Sequence, residues 1–146
     1  MAFRFSMQKI VDLKGNQKTQ AEWLLAEAIN KLREVELSLN QLYEDLNHHH
    51  ELLRRMTERP TPIKEVQFQQ QYIDHLETLI AKTTMELSAA LTNKEAKQQV
   101  LLEKTLDEKV WLKTREKAQL DFNAFMLKKE QNELDEMAAV RHGNQA

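Results

Sequence analysis

Three adjacent histidines, His48-His49-His50, are the residues in this 146-residue chain whose type most directly suggests chemistry. Imidazoles ligate transition metals, but a metal needs donors that converge on one point. Successive side chains on a helix point in different directions, so three neighbours in sequence cannot close on one ion. The run reads as a solvated helix face, with His49 turned into a packing seam and able to pair with carboxylates as pH falls. Carboxylates are plentiful, but Glu27–Lys31 and Glu51–Arg55 have the spacing of surface ion pairs on one helix. Two glycines are too few for a phosphate-binding loop, and the absence of cysteine removes thiol chemistry and disulfides and suits a reducing compartment. The sequence therefore predicts no enzyme, no cofactor and no metal. Arg54, Arg55 and Arg59 read as a solvated face near the turn rather than as a site for an acidic partner.

The elements that carry these residues are helices. Ala, Leu, Glu, Lys and Gln dominate, 30% of residues are charged and 6% are aromatic, the bias of long helices and coiled coils. A net charge of −2 gives no electrostatic reason to expect nucleic acid or anionic lipid. The opening residues lack the apolar run of a signal peptide and no later run approaches a membrane span, so the expectation is a cytoplasmic protein. The only two prolines are Pro60 and Pro62, far from Gly15 and Gly143. Proline breaks a helix interior, so Arg59-Pro60-Thr61-Pro62 ends one helix and starts the next, with Thr61 as N-cap, Pro62 in the first helical position and Glu65 near the positive dipole end. The predicted fold is all-α: two long helices forming an antiparallel coiled-coil hairpin in a single domain over 1–146. Arm one runs over about 3–58, the turn over about 59–62, and arm two over about 62–141 with a C-terminal overhang.

Along the first arm one stripe passes through Ile10, Lys14, Gln17, Ala21, Leu24, Ala28 and Leu32 and on to Met56 in steps of three and four. One extra step of four between Ala28 and Leu32 implies a stutter. The unbroken stripe argues that the helix continues through Gly15. On the second arm Ile73, Leu76, Ile80, Thr83, Leu87 and Ala90 form a matching stripe, followed by a polar stretch over 93–99. Folding at the prolines pairs positions whose numbers add to about 122, which sets Leu46 against Leu76, Leu42 against Ile80 and Lys14 against Glu108. In this register nothing covers residues beyond about 119, so Phe122, Phe125, Met126 and Leu127 form an overhang awaiting a partner. Trp23, Trp111 and Tyr43 read as packing beside the seam rather than as binding hot spots. Phe68, Tyr72 and Leu79 lie off it, and spacing alone leaves a partner surface and a plain helix flank both open.

Two motifs carry a family resemblance. Phe3-Arg4-Phe5-Ser6-Met7-Gln8-Lys9-Ile10-Val11-Asp12-Leu13-Lys14 resembles the opening of the flagellar export protein FliJ family, and Gln70-Gln71-Tyr72-Ile73-Asp74-His75-Leu76-Glu77 is similar to a second family segment. The resemblance covers nearly the whole chain and implies a non-enzymatic coiled coil like the stalk of rotary ATPases. It would place Phe3, Phe5, Phe122, Phe125, Met126 and Leu127 at or near the flagellar export ATPase. It implies a surface for the membrane export gate at Tyr72, Leu76, Leu79 and Thr83, beside Phe68, although Leu79 and Thr83 depart from the smaller or more polar types expected. Family members also recycle export chaperones, and the implied location is cytoplasmic, peripheral to the inner-membrane export apparatus through protein partners. The competing readings are a chaperone of an injectisome-type secretion system and a structural coiled-coil dimer.

Overall fold

Two helices make up almost all of the chain. In a computed structural model that describes residues 2–145, α1 spans Gln8–Thr57 (50 residues) and α2 spans Ile63–Gln145 (83 residues), with no strand among the described residues. The class is all-α, as the composition implies. Gly15 lies inside α1 with a negative φ, and the helix continues through it.

The break between the helices comes from proline, with one change in the roles around it. The Glu58 amide donates to the Arg55 carbonyl at 3.2 Å, tightening the end of α1. The Thr61 hydroxyl turns back and donates to the Met56 carbonyl at 2.9 Å, satisfying one of the last orphan acceptors of α1. It is therefore a cap for the helix behind it, and the expectation of Thr61 as N-cap of α2 is corrected. The Pro62 carbonyl accepts from the Glu65 and Val66 amides, which starts α2 one residue later.

The described residues fall into two units, 21–101 and 2–20 together with 102–145. The first, here the turn unit, is an antiparallel helical hairpin around a narrow core. Leu32 and Val35 from α1 and Ile73, Leu76, Ile80 and Ala90 from α2 are buried, Ile73 completely. Ala21 and Ala28 complete this core at 4% exposure each. The expected stutter is absent. Leu25 is half-buried whereas Leu24 is exposed, so the seam runs Ala21, Leu25, Ala28, Leu32, Val35 in alternating steps of four and three. On α2 the same frame carries half-buried Lys94 and Lys97, a residue type whose long stem packs on apolar surface with its ammonium group in water.

The second, the terminal unit, is held differently. Val11 is its buried apolar residue, at 7% exposure. Lys14 pairs with Asp107 at 2.8 Å and Lys18 with Glu108 at 3.5 Å, so the expected Lys14–Glu108 pair is replaced by two neighbouring ones. Gly15 explains the geometry: a Cβ there would lie 3.1 Å from a Glu108 carboxylate oxygen. Residues 2–5 are not helical, yet Phe3 sets its ring 5.5 Å from that of Phe122. Phe122 and Met126 are half-buried, so cover reaches further along α2 than a helix-only register allows. The uncovered stretch begins at Leu127, not near residue 120, and every residue from 127 to 144 is exposed.

Candidate interaction surfaces

The turn unit contains a polar node that supports the first surface. Gln69 occupies a seam position and is buried at 8% exposure. Its Nε2 donates to the His49 carbonyl at 3.2 Å and lies 2.6 Å from His49 Nδ1. A carbonyl only accepts, so the amide end facing it must be NH2, and Nδ1 must then be the accepting nitrogen. The node thus selects one neutral tautomer of His49. The His49 ring sits 4.5 Å from the Tyr72 ring, tilted by 59°, and Tyr72 lies 6.5 Å from His75. These are favourable separations for aromatic pairs.

The residues expected at the gate surface divide sharply by exposure. Phe68 is 71% exposed and Tyr72 38%, while Leu79 and Thr83 are half-buried. Leu76 is 2% exposed and lies in the core of the turn unit, in keeping with its place in the seam stripe. Tyr72 is partly covered by His49, whose ring lies 4.5 Å from its own. Phe68 and Tyr72, four residues apart on one helix, are the apolar groups this face offers. Sequence reading missed Gln69 and the role of His49. The available signal was the frame itself, since Gln69 precedes Ile73 by one four-residue step and belongs to the same seam.

The second surface is in the terminal unit. Phe3, Phe5, Phe122 and Met126 are each half-buried, Phe3 against Phe122, whereas Phe125 is 63% and Leu127 68% exposed. The expected six-residue set therefore splits into four half-buried side chains and two exposed ones.

Two other candidates carry less. Near the turn Arg54 lies between Glu51 at 2.7 Å and Glu58 at 2.6 Å, and Arg55 reaches Glu51 at 3.4 Å. Arg54 holds the Glu51 carboxyl below the ordinary carboxylate range, and Glu51 in turn raises the Arg54 guanidinium. The basic face is largely neutralised within its own helix. His48 and His49 stack edge to face at 5.3 Å, and among the described residues no group of three His, Asp or Glu converges as a metal site. No described helix is long and apolar enough to cross a membrane.

Comparison with known proteins adds to this geometry. The family described as Flagellar FliJ protein matches residues 3–146. A Bacillus subtilis (strain 168) protein named Flagellar FliJ protein is 30% identical over 141 residues, which cover 94% of this chain and 91% of that one. No solved structure matches the chain.

Proposed function

The chain belongs to the flagellar FliJ family and is thereby related to flagellar export, and on that premise we propose that it links the export ATPase to the membrane export gate, assists export chaperones and catalyses nothing itself. The observation that carries this reading is the family match from residue 3 to residue 146, which takes in both surfaces described above. On this reading the gate contacts Phe68 and Tyr72, flanked by Leu79 and Thr83, with Leu76 and the Gln69–His49 node as support from below. The ATPase contacts the open face that begins at Phe125 and Leu127, while Phe3 and Phe122 fix the chain next to it. Exposed apolar side chains at such positions act as anchors because their burial against a partner releases water from both sides. The protein would be peripheral to the inner membrane through these partners.

The test uses purified export ATPase with substoichiometric amounts of the full chain and of a variant lacking residues 125–146. The full chain should stimulate ATP hydrolysis and the truncated chain should not, with helicity over the turn unit unchanged. Tyr72→Ala should stimulate normally but bind the gate protein about tenfold more weakly or worse. Equal stimulation by the truncated chain would remove the ATPase from the proposed face.

A further inference from the structure

The Gln69–His49 bond in the turn unit exists in only one charge state of the imidazole. Gln69 Nε2 donates to the His49 carbonyl at 3.2 Å and faces His49 Nδ1 at 2.6 Å. Nδ1 must therefore offer a lone pair, and the ring hydrogen sits on the other ring nitrogen. A second proton would bind at Nδ1, and two donors would then face each other at hydrogen-bond distance. Turning the Gln69 amide over gives no relief, because its oxygen would accept from Nδ1 only by lying against the His49 carbonyl oxygen. Gln69 is buried, so a displaced amide finds little water in place of its partner. The proton is accommodated by moving the ring.

The groups around His49 decide where the ring goes. On α1 its neighbours are His50, His48, whose ring stands edge-on at 5.3 Å, and Asp45 one turn earlier. On α2 it meets the Gln69 amide and the Tyr72 ring, with His75 beyond Tyr72. The acidic residues of that stretch of α2 are Glu65, one turn before Gln69, and Asp74, which already accepts from Gln70 at 3.0 Å. Among the described residues no carboxylate forms an ion pair with His49 while the bond to Gln69 is made. Asp45 is exposed and precedes His49 by one helical turn, the spacing and order in which an acid and a cation meet along one helix.

We infer that protonation of His49 opens the bond to Gln69, turns the ring toward Asp45 and uncovers the Tyr72 ring against which it packs. The side chain that joins the two helices is thus of the type whose charge ordinarily changes between about pH 5 and 8. The unfolded chain takes up the proton freely and the closed pair has no place for it. Stability from this bond is therefore present above the ordinary histidine range and is lost as pH falls through it. The inference does not rest on the export reading, because it concerns the isolated chain.

Urea unfolding and NMR of the full chain from about pH 8 to about pH 5.5 test it. The ratio of the wild-type folding constant to that of His49→Gln should fall about fivefold over this range, the worth of one hydrogen bond. In His75→Gln, where His49 is the remaining histidine against Tyr72, the Tyr72 ring resonances should move with the same midpoint as the His49 imidazole. Asp45→Asn should displace that midpoint to lower pH, since the released ring then lacks its carboxylate. A ratio that stays constant with pH overturns the inference. So do Tyr72 signals that stay in place while His49 takes up its proton, and a midpoint indifferent to Asp45→Asn overturns the turn toward Asp45.

Discussion

Between Ala21 and Leu101 the two helices bury Leu32, Val35, Ile73, Leu76 and Ile80, whereas the terminal unit buries Val11 and otherwise relies on two ion pairs and the Phe3–Phe122 contact. Both units use the same helices and similar composition, so the contrast isolates what burial contributes. A fully buried large aliphatic side chain is worth about 1.5–3 kcal/mol, and a partly exposed ion pair commonly below about 1 kcal/mol. The terminal unit also holds a cost, since Gln17 Oε1 is buried without a hydrogen-bond partner. One unit is organised around its own interior. The other has little interior of its own.

The sharpest way to break this comparison is to truncate one apolar side chain in each unit, a buried one in the turn unit and an exposed one in the terminal unit. Ile73→Ala should cost about 2–5 kcal/mol in urea unfolding, because Ile73 is completely buried and the cavity has little room to collapse. Leu134→Ala, at 60% exposure, should stay within about 0.5 kcal/mol. Comparable losses would mean that the terminal unit has an interior after all. Next in size is Gln69→Ala, expected to cost about 1–2 kcal/mol by stripping the His49 carbonyl and Nδ1 of their donor. NMR should show the Tyr72 ring resonances moving with it, while those of Phe125 stay in place.

Smaller still is Gly15→Ala. Alanine gains up to about 1 kcal/mol of helix propensity, but its Cβ would crowd the Glu108 carboxylate, the free end of a flexible side chain. The melting temperature should rise slightly as Glu108 swings aside, and a fall would show that the Lys18–Glu108 pair is worth more than the propensity. The smallest effect concerns pH. Glu51 titrates below its ordinary range beside Arg54, so its contribution is present above the unfolded-state value and fades as pH falls through the folded one. With both groups solvent-exposed, Glu51→Gln should flatten the acid limb of the stability curve only slightly, and a change confined to neutral pH would contradict the assignment.

Much of this architecture is legible from the residues, and the exceptions have physical reasons. The all-α class follows from composition, the punctuation at Pro60 and Pro62, and the three-and-four spacing of Leu32, Val35, Ile73 and Ile80. Partner numbers in the observed His49–Tyr72 and Lys14–Asp107 contacts add to within one of the expected value of about 122. The frame slipped locally where Leu24 and Leu25 stand side by side, since periodicity cannot say which of two adjacent leucines faces inward. Thr61 defeated the reading because a hydroxyl can donate to the helix behind it as readily as accept from the one ahead. Cover of Phe122 by Phe3 was invisible to a register built on helix alone, because residues 2–5 reach it in a non-helical path. The interaction surfaces were less legible than the fold: heptad spacing names the side chains that face inward, and exposure divides the remainder.

The Gln69–His49 bond has one more consequence, which is mechanical. A leucine seam with a regular heptad is nearly degenerate under sliding, because a shift by seven residues puts leucine-like side chains against one another again. Gln69 is not degenerate. A slip by one heptad replaces His49 with Leu42 or Met56, and neither side chain can accept the amide proton as an imidazole nitrogen does. Leaving that buried amide unpaired costs about 1–3 kcal/mol, and the turn at Glu58–Pro62 would have to take up or release the displaced residues as well. The polar pair therefore acts as a detent, holding one helix at a fixed station along the other under axial load.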